Sequence, residues 1–197
     1  YPGGTETEVG PHHGLTFTGR VVPNGRTPLA PIPRGHFFKH LRDASRSTFL
    51  ASNGESERFI FYDGPSEVVR VTARRDATHV RIQAPEGAVE TVFVVANGRY
   101  QTVVASPQAS LSLADLARTG KRTRGLEREL SAVLAARGLT RAEVRSLVRT
   151  WQDELVNADA LHVISLVSPA AYEAALPMTI VPQPSEVVRV GVVIERL

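Results

Sequence analysis

The fold is decided by the stretch LERELSAVLAARGLTRAEVRSLVRTWQDEL (residues 126–155), which predicts two consecutive amphipathic helices. Leucine and valine recur at helical spacing in both halves and give each helix an apolar stripe. Gly138 is predicted to end the first helix in a left-handed conformation. Thr140 and Glu143 predict a capping box at the start of the second helix, because the hydroxyl and the carboxylate each satisfy a free backbone amide. Since most other segments predict strands, we expect the helix pair to cover a β-sheet.

Most of the remaining chain predicts antiparallel strands. Residues 66–84 alternate apolar and polar side chains on both sides of a turn at Asp76-Ala77, and residues 89–106 do the same around Asn97-Gly98. The Asn-Gly pair favours a type I′ turn, because both residues tolerate positive φ. The other predicted elements are buried strands at 59–62 and 161–167, a loop at 107–112, a helical turn at 113–117, a short helix capped by Ser168, an extended segment at 178–181, and a final strand at 186–195.

These elements predict an α+β fold built on a mainly antiparallel sheet, with a helical hairpin inserted near residues 113–158. A curved sheet and a sandwich-like arrangement both fit the pattern. Residues 1–35 hold six of the 13 prolines and seven of the 15 glycines, which predicts an extended arm with a short strand only at 15–22. Such an arm rarely orders by its own contacts, so it packs either on its own domain or on a neighbouring chain. The predicted organisation is an arm, residues 1–35, followed by one domain, residues 36–197.

The composition excludes several classes of protein. The chain has 197 residues, of which 42% are hydrophobic, but no apolar run approaches the ~20 residues of a membrane-spanning helix. Without cysteine, the chain forms no disulfides, thiolate metal sites or cysteine nucleophiles. A net charge of +3 is too small to demand a nucleic-acid or membrane partner. The sequence begins at Tyr1 rather than at methionine, which is expected of a cleaved signal peptide and also of a trimmed chain.

Three linked motifs carry a family resemblance. The first is Glu57-Arg-Phe-Ile-Phe-Tyr-Asp-Gly64, and the second is Thr150-Trp-Gln-Asp153 followed by the apolar segment 161–167. The third is Leu176-Pro-Met-Thr-Ile-Val-Pro-Gln-Pro184 running into Val187-Val-Arg-Val190. In this order the motifs resemble a group of uncharacterised bacterial proteins that are often predicted to be exported. The chain departs from that group at Asp63, where arginine is usual, and around 154–159, where bulky aromatic residues are usual. The resemblance implies the fold and an envelope setting, and it implies no chemistry.

Basic residues provide the candidate binding site. On the predicted hairpin 66–84, three arginines share the polar face, and the predicted basic, flexible connection 118–125 adds further cations. Together they could bind phosphate or an acidic polymer, although a solvated sheet face explains the same pattern and no aromatic residues are interleaved to stack on bases. The candidate anion-binding residues are Arg70, Arg74, Arg81, Lys121, Arg122 and Arg124.

Other candidate sites are weaker. His36 and His40 have the spacing of two zinc ligands on one helix face, but neither they nor His12-His13 come with an identifiable third ligand. There is no nucleophile elbow, no phosphate-binding loop and no dinucleotide fingerprint. Trp151 and the aromatic run 59–62 could line a pocket, but both are predicted to be core. The sequence therefore predicts no catalytic residue, cofactor or metal.

These observations favour a non-catalytic structural or interaction subunit of a bacterial assembly, in a periplasmic, cell-envelope or secreted location, with a cytoplasmic location left open. Its partner would be another protein or a second copy of the chain, bound through the N-terminal arm or a sheet edge. One alternative is a binding module for an anionic ligand or polymer at the arginine-rich face. A second alternative is an enzyme of unrecognised type. A deep pocket that combines acidic and histidine side chains with shifted pKa values would support it.

Overall fold

The computed structural model describes residues 1–9, 12–24, 27–62, 71–104, 107–155 and 160–197. The fold is α+β, as the sequence predicts, with helices and several antiparallel sheets. The chain divides into two compact units, Tyr1–Pro65 with Thr140–Thr150, and Ser66–Leu139 with Trp151–Leu197. The predicted division at residue 35 stays a prediction.

The first unit is built from short strands and two helices. Its elements are β1 (Gly4–Val9), β2 (His12–Phe17), β3 (Gly19–Val22), α1 (Phe38–Arg42), β4 (Thr48–Ala51) and β5 (Ser56–Glu57), joined by a helix from later in the chain, which is numbered below. Strands β1 and β2 form a hairpin, and β3, β4 and β5 form a second antiparallel sheet in that order.

The predicted arm holds more regular structure than the single strand expected at 15–22, because Gly4–Val9 form β1 and His12–Phe17 form β2. The run Gly4-Thr-Glu-Thr-Glu-Val9 contains three β-formers, and pairing with β2 satisfies its backbone groups. Strand β3 then pairs with β4, and the amide of Phe61 donates to the carbonyl of Tyr1 at 2.7 Å. Strands β1, β2 and β3 therefore find their pairing partners within their own chain.

The second unit holds two antiparallel sheets and most of the helices. Its elements are β6 (Thr72–Arg75), β7 (His79–Gln83), β8 (Val89–Ala96), β9 (Arg99–Val103), β10 (Gln108–Ser112), α2 (Leu113–Thr119), β11 (Lys121–Arg122), a 3₁₀ turn (Thr123–Gly125), α3 (Leu126–Ala136), α5 (Gln152–Leu155), β12 (His162–Val167), α6 (Pro169–Ala175) and β13 (Gly191–Arg196). The remaining helix, α4 (Arg141–Thr150), belongs to the first unit. The strand orders are β10-β7-β6 and β11-β9-β8-β12-β13.

The core of the second unit draws on both sheets. Buried valine, isoleucine and alanine side chains of β6 and β7 share one cluster with alternate residues of β8 and with Val163 of β12. The opposite face of the five-stranded sheet carries Phe93 and Tyr100, both almost fully buried. Strand β12 is a central strand and is buried along its whole length, because both faces of the sheet are covered there.

The predictions that depend on a specific backbone conformation or on a capping hydrogen bond are confirmed. Asn97 and Gly98 have φ of 49° and 70°, as a type I′ turn requires. The amide of Thr140 donates to Glu143 at 2.7 Å while the amide of Glu143 donates to the Thr140 hydroxyl at 3.3 Å, which completes the capping box. Gly138 ends α3 with φ of 96°, and the Ser168 hydroxyl accepts from the Ala171 amide at the start of α6.

Two predictions about the helices need correction. Helices α3 and α4 form where they are predicted, but they belong to different units, so they do not act as one lid. Helix α4 packs on α1, and its buried Ser146 donates to the carbonyl of His40 at 2.8 Å. Trp151 was predicted to be core and is 48% exposed. It lies in the turn between α4 and α5, so it leaves the apolar stripe.

Four extended or loop predictions also differ from the structure. The run 59–62 is not a strand, because pairing with β4 stops at Glu57. Residues 108–112 form β10 rather than a loop, because β7 supplies a partner edge. The connection 118–125 is ordered by β11 and the 3₁₀ turn. The final strand begins at Gly191 rather than at 186, because β12 ends its pairing at Val167.

Candidate functional site

Two of the six predicted anion-binding residues lie together on the three-stranded sheet. Arg74 of β6 and Arg81 of β7 are directly opposite each other in the antiparallel register, and both are exposed. Directly opposed like charges destabilise a strand pair, so this position favours a counterion. Arg70 lies outside the described residues.

Asp76 provides one counterion at this pair. One of its carboxylate oxygens lies 3.0 Å from the Arg81 guanidinium. The other accepts the backbone amides of Thr78 at 2.8 Å and His79 at 2.7 Å. These two amide bonds are the largest causes that lower the pKa of Asp76 to about 2, and the charge of Arg81 contributes least. Asp76 therefore serves mainly to close the β6–β7 turn.

We expect Arg81→Gln to leave the pKa of Asp76 close to 2, because the backbone amides hold the carboxylate in its charged form. Since the folded pKa lies below the usual value of about 3.8, the carboxylate stabilises the fold above that value, and this contribution disappears as the pH falls towards 2. NMR titration of the Asp76 side chain measures the midpoint in both proteins. A midpoint that returns to its ordinary value in the variant would show that Arg81 is the dominant partner.

The other three predicted residues lie on a different sheet. Lys121 and Arg122 form β11, which pairs with Arg99 and Tyr100 of β9, and Arg124 is exposed in the following 3₁₀ turn. In the described part of the chain, no hydrogen bond or ion pair links them to Arg74 or Arg81. The structure thus does not join the five described residues by contacts into one site, and anion binding by the six predicted residues stays a prediction.

Lys121 is already engaged by a carboxylate that sequence analysis missed. Glu129 of α3 accepts from Lys121 at 2.7 Å, from the Tyr100 hydroxyl at 2.8 Å and from the Thr102 hydroxyl at 2.8 Å. The Lys121 hydrogen bond is the largest cause that lowers the pKa of Glu129. Burial, followed by the hydrogen bond to Glu129, raises the pKa of Tyr100 to about 12. With three donors the carboxylate is satisfied, so it docks α3 on the sheet and is a poor candidate for a general base.

The histidines do not form a metal site in the described part of the chain. Helix α1 begins at Phe38, so His36 precedes it and does not share a helical face with His40. The His36 ring instead packs on Phe37 and accepts from the Phe38 amide at 3.3 Å. Within the described ranges there is no group of three histidine, cysteine or acidic residues that could hold a metal. The side chains of His12 and His13 lie outside that description.

Exposed apolar side chains concentrate in the connection between α6 and β13. They are Met178 (45% exposed), Ile180 (43%), Val181 (86%), Val187 (49%) and Val188 (39%). The connection is anchored at its end by Arg189, which pairs with Glu173, donates to the carbonyl of Leu176 and lies over the Tyr172 ring at 4.7 Å. Clustered apolar exposure of this kind marks interaction surfaces in soluble proteins.

The strand that follows this connection is an open sheet edge. Strand β13 pairs with β12 on one side, and no other described strand pairs with it. Its central residues Val192, Val193 and Ile194 are half-buried and β-branched, with charges only at Glu195 and Arg196. Edge strands of soluble proteins usually carry proline, lysine or a bulge that blocks further pairing. Strand β13 lacks proline and lysine, and its register with β12 is unbroken.

Comparison with protein-family models, curated proteins and solved structures finds no match. None of the described helices is long and apolar enough to cross a membrane. The features that suggest a function are therefore the open edge of β13 and the apolar connection that precedes it.

Proposed function

We propose that the protein is a non-catalytic structural subunit that associates with a second copy of itself through the β13 edge. The observation that carries the proposal is a six-residue strand at the end of a five-stranded sheet, with one side on which no described strand pairs. An extended segment added there would form backbone hydrogen bonds with that side, which is the usual mode of strand addition. The N-terminal residues are a poorer choice of surface, because β3 is already paired with β4 of its own chain. This pairing favours the β13 edge for the second copy.

The sequence of β13 suits pairing with its own copy. An antiparallel pair related by a two-fold axis at Val193 would place Val193 opposite its copy and Val192 opposite Ile194. Opposed β-branched side chains stabilise strand pairs. In the same register Glu195 would face Gly191, so no like charges would be opposed.

The apolar connection supports the same surface. Val187 lies four residues before Gly191, so it stays within about 14 Å of the edge strand by chain length. A second copy at β13 would cover apolar side chains that are otherwise in water, and burying a valine of this size stabilises an interface by about 1.5 kcal/mol. The family resemblance supports a periplasmic, cell-envelope or secreted setting.

We expect Val187→Lys to weaken self-association by about tenfold, because it places a charge where the second copy would bury an apolar side chain. Sedimentation velocity over a concentration series measures the association constant of the parent and of the variant. Val104→Lys is the matched control, because Val104 is 81% exposed just after β9 and lies on no part of the proposed surface.

Equal weakening by the two lysine variants would show that the effect is general charge repulsion rather than loss of this surface. A parent protein that stays monomeric at every concentration would contradict the proposal itself.

A further inference from the structure

The second unit contains a cleft of about 660 Å³. It is lined by the ends of β6 and β8, by α2 and by the residues just before β12. Its size is in the range of small-molecule pockets, which run from about 300 to 1,000 Å³. The lining combines leucines and alanines with two arginines, and none of its described side chains is acidic.

The apolar part of the lining is continuous with the core. Leu116 of α2 is 2% exposed and Leu161 is 6% exposed, and both belong to the cluster shared by the two sheets. Leu113 and Leu197 pack against the same cluster and also line the cleft. The apolar body of a ligand would therefore lie against side chains that are held in place by the core.

The charged part of the lining comes from Arg75 and Arg99. Arg75 pairs with buried Val80 in the register, so its side chain leaves β6 on the face opposite to Arg74. In the described part of the chain it forms no ion pair, because neighbouring Asp76 is engaged by the β6–β7 turn and by Arg81. Arg99 donates to the carbonyl of Gly120 at 2.6 Å, which holds its guanidinium at the cleft while leaving other donors free.

We propose that this cleft binds a small organic anion that has a carboxylate head and an apolar body. Arg75 and Arg99 offer the planar donor pairs that carboxylates accept, and the leucines cover the body. The head and the body are recognised by separate walls, so binding requires both parts of the ligand.

The test compares octanoate with 1-octanol, which has the same chain length and no charge, and with acetate, which has no apolar body. Each ligand is titrated into the protein while the backbone amide resonances of Asn97 and Ala117 are followed by NMR. Both residues line the cleft, so shifts of these resonances report binding at the cleft itself. We expect octanoate to bind about tenfold more tightly than octanol, in line with a charge-assisted hydrogen bond. Acetate should bind weakest, and octanoate affinity should fall with added salt while octanol affinity does not.

Arg75→Gln should lower the octanoate affinity about tenfold and leave octanol unchanged. Arg74→Gln is the matched control: it removes the same charge from the next residue, on the other face of β6, and should change neither affinity. Ala117→Phe should weaken both ligands by filling the cleft, whereas Ala132→Phe, on an exposed position of α3, should weaken neither.

Three results would overturn the proposal: no shift of the lining resonances at millimolar octanoate, equal affinity for octanoate and octanol in the parent, or equal losses in Arg74→Gln and Arg75→Gln. The salt dependence in the parent keeps the proposal testable if Arg75→Gln fails to fold, because an octanoate affinity that salt does not change would also overturn it.

Discussion

Arg42→Ala is expected to lower the free energy of unfolding of the first unit by about 3–5 kcal/mol, because it leaves a buried carboxylate without its partner. Glu57 is fully buried, and the Arg42 side chain is 18% exposed. The Arg42 Nε lies 2.8 Å and 3.0 Å from the two Glu57 oxygens, and one Nη donates to Glu57 at 2.6 Å. That guanidinium also donates to the carbonyl of Ala30 at 2.7 Å, so the variant loses a further contact.

Hydrogen exchange of the amides in residues 38–57 measures this loss in the unit concerned. Lys39→Ala is the matched control, because it removes an exposed cation from the same helix and should change stability by less than about 0.5 kcal/mol. If the two variants were equally stable, the Arg42–Glu57 pair would have no special role in holding α1 to the sheet.

The second large effect is expected from Phe93→Ala, which should lower the free energy of unfolding of the second unit by about 3–5 kcal/mol. Phe93 is fully buried on β8, and its ring lies 6.3 Å from that of Tyr100. Removing the ring leaves a cavity on the face of the sheet that carries Tyr100, whose hydroxyl docks Glu129 of α3. The cost therefore combines lost burial with a cavity that a rigid sheet cannot close.

Urea denaturation followed by circular dichroism measures this change. Phe93→Leu keeps most of the volume and should cost less than about 1.5 kcal/mol. A Phe93→Ala variant as stable as Phe93→Leu would contradict the close packing described for this face.

The sequence predicts the elements whose stereochemistry is local. The turn at Asn97-Gly98 needs positive φ, and the capping box of Thr140 and Glu143 needs only residues of one helical turn. The hairpin of β6 and β7 is also predicted, because Ala73 and Val80 alternate with exposed residues on a half-buried sheet.

Elements whose formation depends on a distant partner were missed. Strand β1 contains one glycine and two glutamates, and it forms because β2 pairs with it. Conversely, residues 186–190 have a strand-like sequence but remain outside the sheet, because β12 is paired with β13 only up to Gly191. Trp151 shows the same limit. Its spacing continues the apolar stripe of α4, yet α4 ends one residue before it. The apolar pattern of a sequence does not by itself specify where strand pairing or a helix ends.

The candidate sites follow the same rule. The cross-strand position of Arg74 and Arg81 could be predicted from the hairpin register, since strand period 2 places both on one face. The engagement of Lys121 by Glu129 could not, because it depends on how α3 lies across β9. The cleft beside Arg75 and Arg99 was missed for the same reason, as its walls come from five separated parts of the chain.

The most direct test of the proposed self-association is amide hydrogen exchange of β13, Gly191–Arg196, at low and at high protein concentration. Strand β10, Gln108–Ser112, is an internal control, because it is an edge strand of the other sheet in the same unit. If a second copy pairs with β13, its amides will exchange more slowly at high concentration while those of β10 stay unchanged. Identical exchange of β13 at both concentrations would contradict the account.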